Sequence, residues 1–210
     1  MLDLFIKIFG SKDSGKSIRL GAEEKVNQLF NQLGEEIIKI EIGDDLAQYA
    51  EYMCTTIEEF RENTMRKNGF ILPLTNIIQN KDLQENELII KVHGNETFHE
   101  FVIPTEEYVN KELNNALNVT VNSNLKNLFS NKIIEKYVDS ARTGNEYLIY
   151  NICNTLTNYE IRDILVTLIE NGKSINDIEY IFEKIGEEIF YENKYNRDSK
   201  LIAENIIHYL

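Results

Sequence analysis

The segment that most constrains this chain runs from Tyr147 to Leu210, because it specifies two helices whose ends are both marked. Thr157 can cap the first, and Glu160 three residues later completes a capping box. Ile161, Ile164, Leu165 and Leu168 then fall on one helical face. Asn171-Gly172 ends the helix, since glycine takes the left-handed conformation that a helix C-terminus needs. Ser174 is the expected start of the second helix, with Asp177 in its first turn and Ile178, Ile181, Phe182 and Ile185 as its apolar stripe. Two such helices cannot bury their own stripes, so the rest of the chain must close over them.

Upstream, the periodicity changes. Ile38, Ile40 and Ile42 alternate with Lys39 and Glu41 and predict a strand that Gly43 ends. Leu46, Tyr49, Met53, Ile57 and Phe60 then predict a long helix, capped by Asp44 or Asp45 and closed by Gly69. Phe70-Ile71-Leu72-Pro73 reads as a short strand, placed at an edge or a strand end by its proline. Residues 87–92 and 96–103 predict a hairpin around Gly94-Asn95. The pattern is strand–helix–strand–strand–strand, an α+β unit of one sheet with a covering helix.

Pro104-Thr105 opens a helix expected to run to Leu117. Asn114, Asn115, Asn118, Asn122 and Asn124 make the next stretch polar, and it is expected to be a loop and a domain boundary. Helices are expected over 125–142 and 146–155, in the central pair, and over 198–209. The expected organisation is therefore an N-terminal segment and linker (1–36), an α+β subdomain (37–117) and a helical subdomain (118–210). Within the first segment, residues 1–9 are apolar and short, and suit either a strand or a helix lying on a surface. Glu23 to Leu33 places Val26, Leu29, Phe30 and Leu33 on one helical face.

Composition narrows the function. With 35 acids against 22 Lys and Arg, the net charge of −13 opposes nonspecific binding to nucleic acid or to an anionic membrane. Residues 157–185 have a helix-turn-helix look, but the would-be recognition helix presents Asp177, Glu179 and Glu183 against Lys184, which repels phosphates. No apolar run reaches the roughly 20 residues that span a bilayer. The N-terminus lacks the pattern of a secretion signal. Cys54 and Cys153 are far apart in sequence, which suits a reducing compartment. The expected location is the cytoplasm, with residues 2–9 offering an alternative peripheral attachment at the inner face of the membrane.

Candidates for chemistry are few. Gly10-Ser11-Lys12-Asp13-Ser14-Gly15-Lys16-Ser17 fits the phosphate-binding G-x-x-x-x-G-K-[ST] pattern. In that reading Gly10 and Gly15 let backbone N–H groups face the phosphates, Lys16 reaches the terminal phosphates and Ser17 holds Mg²⁺. The following residues do not alternate strand and helix as such a loop requires, so a linker is the favoured reading and nucleotide binding the alternative. His93, His99 and His208 have no carboxylate or cysteine at a ligand spacing, and no metal or other cofactor is expected. Both cysteines read as small packed residues rather than nucleophiles. Acid pairs such as Asp44/Asp45, Glu58/Glu59 and Glu187/Glu188 are adjacent in sequence, so their side chains diverge and do not form a general acid/base pair. No G-x-S-x-G is present.

Two blocks together resemble the cytoplasmic domain of the FHIPEP family, the large export-gate subunit of flagellar and type III secretion systems. The first holds Ile40-Glu41-Ile42-Gly43, Ile57-Glu58-Glu59-Phe60-Arg61, Lys67-Asn68-Gly69-Phe70-Ile71-Leu72-Pro73, and Asn86-Glu87-Leu88-Ile89-Ile90-Lys91-Val92-His93-Gly94. The second holds the Glu160 to Glu183 helix pair and Arg197-Asp198-Ser199-Lys200-Leu201-Ile202-Ala203-Glu204. The blocks cover residues 37–103 and 125–210. Against that family's pattern, the membrane half is absent here, the subdomain inserted after the hairpin is replaced by the short stretch near 105–124, and the chain stops where a last subdomain would begin. The resemblance implies the family's fold, self-association into an oligomer and a non-catalytic role in binding export substrates, chaperones or other export-apparatus proteins. It places no docking residue on this sequence.

Overall fold

The computed structural model describes residues 36–190 and 198–210. The strand expected from alternating isoleucines is β1 (Glu36–Ile42). A 3₁₀ turn over Asp44–Tyr49 leads into α1 (Ala50–Asn68), which buries Met53, Ile57 and Met65. Gly69 ends α1 at φ +78, and its N–H donates to the Met65 carbonyl. The chain then forms β2 (Leu74–Gln79), β3 (Glu87–Val92) and β4 (Asn95–Phe101). β2 pairs parallel to β1 through the α1 crossover, β1 pairs antiparallel to β3, and β3 to β4. The sheet order is β2-β1-β3-β4. His93 and Gly94, both at positive φ, make the hairpin turn.

The expected strand at Phe70–Pro73 is not one. These four residues are buried, but in irregular backbone, and β2 begins one residue later. A fully buried run reads as a strand because both faces are apolar. Its backbone groups nevertheless bond to side chains rather than to a ladder. The Tyr137 hydroxyl donates to the Gly69 carbonyl (2.6 Å) and accepts from the Ile71 N–H (3.0 Å). Arg61 donates through Nε and Nη2 to the Leu72 carbonyl.

The asparagine-rich stretch is not a loop either. α2 spans Glu106–Leu128 and stays helical through 117/118, then kinks at Asn124, whose dihedrals are non-helical. Val109, Leu113, Ala116, Leu117, Val121, Leu125 and Leu128 form its buried stripe. Burial of that stripe outweighs the weak helix propensity of asparagine. Asn118 and Asn124 turn their side-chain amides back to carbonyls four residues earlier. The helix expected over 125–142 is broken at Phe129-Ser130, and Ser130 caps α3 (Asn131–Arg142).

α4 (Glu146–Thr155) and α5 (Asn158–Glu170) follow as the pattern predicts. The Thr157–Glu160 capping box is formed in both directions. α6 (Ile178–Phe190) begins later than Ser174. Asp177 accepts from the Tyr180 N–H at its start, whereas Ile175 and Asn176 are drawn away to the end of α1. There the Ile175 N–H donates to the Asn68 carbonyl (2.7 Å) and the Asn176 amide to the Arg66 carbonyl (3.0 Å). α7 (Ser199–Ile207) closes the bundle, with Asp198 as its cap. α5 and α6 both pack against α7 and α3, which cover the two stripes singled out above. The result is an α+β fold: a small sheet with helices on one face, followed by an all-helical part. The stretch 1–9, the helix at Glu23–Leu33 and the first expected segment's linker lie outside the described residues.

Candidate docking surface

One place where the helical part and the sheet part meet is a hydrogen-bonded and aromatic joint around Phe70, Phe129 and Tyr137. Phe129 stacks on Phe70 with ring centroids 4.6 Å apart and lies 6.0 Å from the Tyr137 ring. Tyr137 is fully buried, and that burial pushes its hydroxyl far above the ordinary phenol range, so it stays a neutral donor. Burial pulls the Arg61 guanidinium down to about 10, opposed by the charge of Glu58, and it remains charged at neutral pH. These groups hold backbone in place; they do not converge on a cleft.

A second polar cluster lies on the sheet face opposite the helices. Glu41 is only 4% exposed and accepts from Lys91 (2.9 Å), Asn80 (2.8 Å) and Lys39 (3.1 Å). The Lys91 hydrogen bond, against the cost of burial and with help from Asn80 and Lys39, lowers its carboxyl to about 2. A carboxylate held so firmly ionised does not act as a general acid near neutral pH. Cys54 is half-buried, but Cys153 is exposed on α4 rather than packed as expected; desolvation nevertheless pushes both thiols up, away from the thiolate a nucleophile needs.

Strand register brings together what spacing did not suggest. His99 Nε2 lies 2.8 Å from Glu87 and its Nδ1 3.7 Å from Glu96. His93, at the turn, instead faces the Asn127 carbonyl (3.1 Å). Among the described residues no group of three or more His, Cys, Asp or Glu is arranged to hold a metal ion. Gly10, Gly15, Lys16 and Ser17 lie outside the described residues.

What the described surface does present is exposed aromatic side chains on packed helices. α4 buries Ile149 and Ile152, and Leu148 reaches Gly186 of α6, where a β-carbon would lie 2.5 Å from its Cδ1. The opposite face of α4 holds Tyr147, 82% exposed, and Tyr150, 64% exposed. Tyr159 is exposed at the start of α5, with the Arg162 guanidinium 5.1 Å from its ring centre. Lys184 stands between the Tyr180 and Tyr209 rings at 5.3 and 5.2 Å. Tyrosines with an apolar body and a wet hydroxyl are the side chains that protein interfaces favour. Helical spacing identifies the buried half of each helix, but gives no reason to single these tyrosines out from other polar-face residues.

The mixed sheet followed by a helical bundle is a fold already seen in solved structures. The solved structures that share it are cytoplasmic domains of type III secretion export-gate proteins of the FHIPEP family. The Chlamydia pneumoniae CdsV protein superposes with a TM-score of 0.67 at 11% identity, over 81% of this chain and 69% of that one. The Shigella flexneri MxiA protein gives 0.61 at 12% identity, over 83% and 63%. The nonameric EscV cytosolic domain from the type III secretion system gives 0.63 at 18% identity, over 82% and 63%. The present chain thus spans roughly two thirds of the length of these chains, and at such identities it is the fold that is shared. No family model matches the sequence, and no curated protein matches it. Among the described residues no helix is long and apolar enough to cross a membrane.

Proposed function

We propose that this chain is a protein-docking domain of a type III export apparatus, working on the cytoplasmic side without turning over a substrate. The observation that carries the reading is the shared fold, which extends over four fifths of the chain. Two features support it. The perturbed groups Tyr137, Arg61 and Glu41 are all engaged in holding the fold. The strongly acidic composition favours basic or partly unfolded protein partners. Partners are export substrates, their chaperones or other apparatus proteins, together with further copies of this chain. The EscV domain is nonameric, and the same association is proposed here.

The test is genetic and physical. Deleting the coding sequence in the source organism is expected to remove proteins from the culture supernatant while their cellular levels persist. An unchanged secreted-protein profile overturns the export role. Light scattering on the purified chain is expected to show a species larger than a monomer at high concentration, and a monomer throughout removes self-association.

A further inference from the structure

Among the described residues β4 pairs only with β3, so its other side is an open sheet edge. Such an edge offers a row of backbone donors and acceptors to any extended chain. The direction of its amides follows from one bond. The Val102 N–H donates inward to the Asn86 carbonyl (2.9 Å). Successive amides of a strand point alternately, so those of His99 and Phe101 point away from β3. Among the described residues the Phe101 N–H is met by the carboxylate of its own neighbour Glu100, at 3.3 Å.

The side chains along this edge select a partner. Residues 95–107 contain Glu96, Glu100, Glu106 and Glu107, all exposed, and neither Lys nor Arg. Between the acids stand Phe101, 48% exposed, and Ile103, 54% exposed. Two copies of the chain are disfavoured as mutual partners. In an antiparallel pairing centred on Phe98, Glu96 of each copy would face Glu100 of the other, and like charges directly opposite destabilise a sheet. The same acids attract a strand that carries cations.

We propose that the free edge of β4 takes up an extended, basic segment of a partner protein as a fifth strand, with Phe101 and Ile103 receiving its apolar side chains. Main-chain hydrogen bonds to His99 and Phe101 supply affinity independent of sequence, and the glutamates supply the preference for Lys and Arg. This deepens the docking reading and rests on it.

The test uses the whole chain and a synthetic peptide in which Lys alternates with Val, with a Glu–Val peptide as the control. The Lys–Val peptide is expected to bind saturably and to slow hydrogen exchange at the His99 and Phe101 amides, and the Glu–Val peptide is not. His99→Pro removes an outward N–H at a position where an edge strand tolerates proline, and is expected to weaken binding at least about tenfold. Glu96→Lys with Glu100→Lys, both at exposed positions, is expected to reverse the preference between the two peptides. Binding that His99→Pro leaves unchanged overturns the edge proposal while the docking function stands. Absence of binding to the Lys–Val peptide also overturns it. Concentration-dependent protection of these amides in the protein alone assigns the edge to a second copy and overturns it too. An export defect in the deletion strain, measured separately, decides the function itself.

Discussion

The Tyr137 hydroxyl lies 2.6 Å from the carbonyl oxygen of Gly69, a residue 68 positions earlier, and this bond fastens the helical part of the molecule to the end of α1. The same oxygen accepts from the Ile71 N–H, so one side chain satisfies two buried backbone groups.

Replacing Tyr137 by Phe keeps the ring packing against Phe129 and leaves both backbone groups unpaired in the core. A loss of about 1–3 kcal/mol is expected. Urea unfolding measures it, as a lower midpoint with an unchanged slope. A loss within error would mean that water or a shifted backbone replaces the hydroxyl.

Gly69 sits at φ +78, and a β-carbon there would come within 2.6 Å of the Asn176 nitrogen. Gly69→Ala therefore meets a left-handed backbone and a collision with backbone from the other half of the molecule. A destabilisation of more than about 1 kcal/mol is expected. Gly94, also at positive φ but with open space around it, provides the comparison: Gly94→Ala suffers the conformational cost alone and should lose less.

Glu41 gives the fold a pH dependence of predictable sign. Its folded carboxyl, at about 2, lies below the ordinary 4.5. Its contribution is therefore complete above pH 4.5 and is lost as the pH falls toward 2. Denaturation midpoints measured through that window should fall with pH more steeply for the natural protein than for Glu41→Gln. Equal slopes would show that the Lys91, Asn80 and Lys39 contacts do not distinguish the charged carboxylate from an amide.

Tyr147 and Tyr150 should separate stability from docking. Both stand on the outer face of α4, so the double alanine variant should unfold within about 0.5 kcal/mol of the natural protein. In the deletion strain it should restore secretion less well than the natural gene does. Full restoration would exclude the α4 tyrosines from the contact surface.

Much of the architecture is legible locally because its signals act over one turn. Thr157 finds Glu160 three residues on, Gly69 stops a helix through its own dihedral, and β1 shows its buried side by alternation. The FHIPEP-like blocks, built mostly of such fold positions, likewise point to the fold that the solved export-gate domains share.

Tertiary structure decided whatever needs a partner remote in the chain. Phe70–Pro73 looks like a strand until Tyr137 and Arg61 supply its hydrogen bonds, and residues 118–124 look like a loop until the core buries the opposite side of their helix. Ser174 gives up its place as a helix start because Ile175 and Asn176 bond to the end of α1. The pairing of His99 with Glu87, and of Glu41 with Lys91 and Asn80, depends on strand register. That β4 has no second partner among the described residues depends on which strand lies last in the sheet. Local energetics act through neighbours in sequence and were readable from it. The docking surface is a property of which faces remain uncovered, and only the packed molecule determines that.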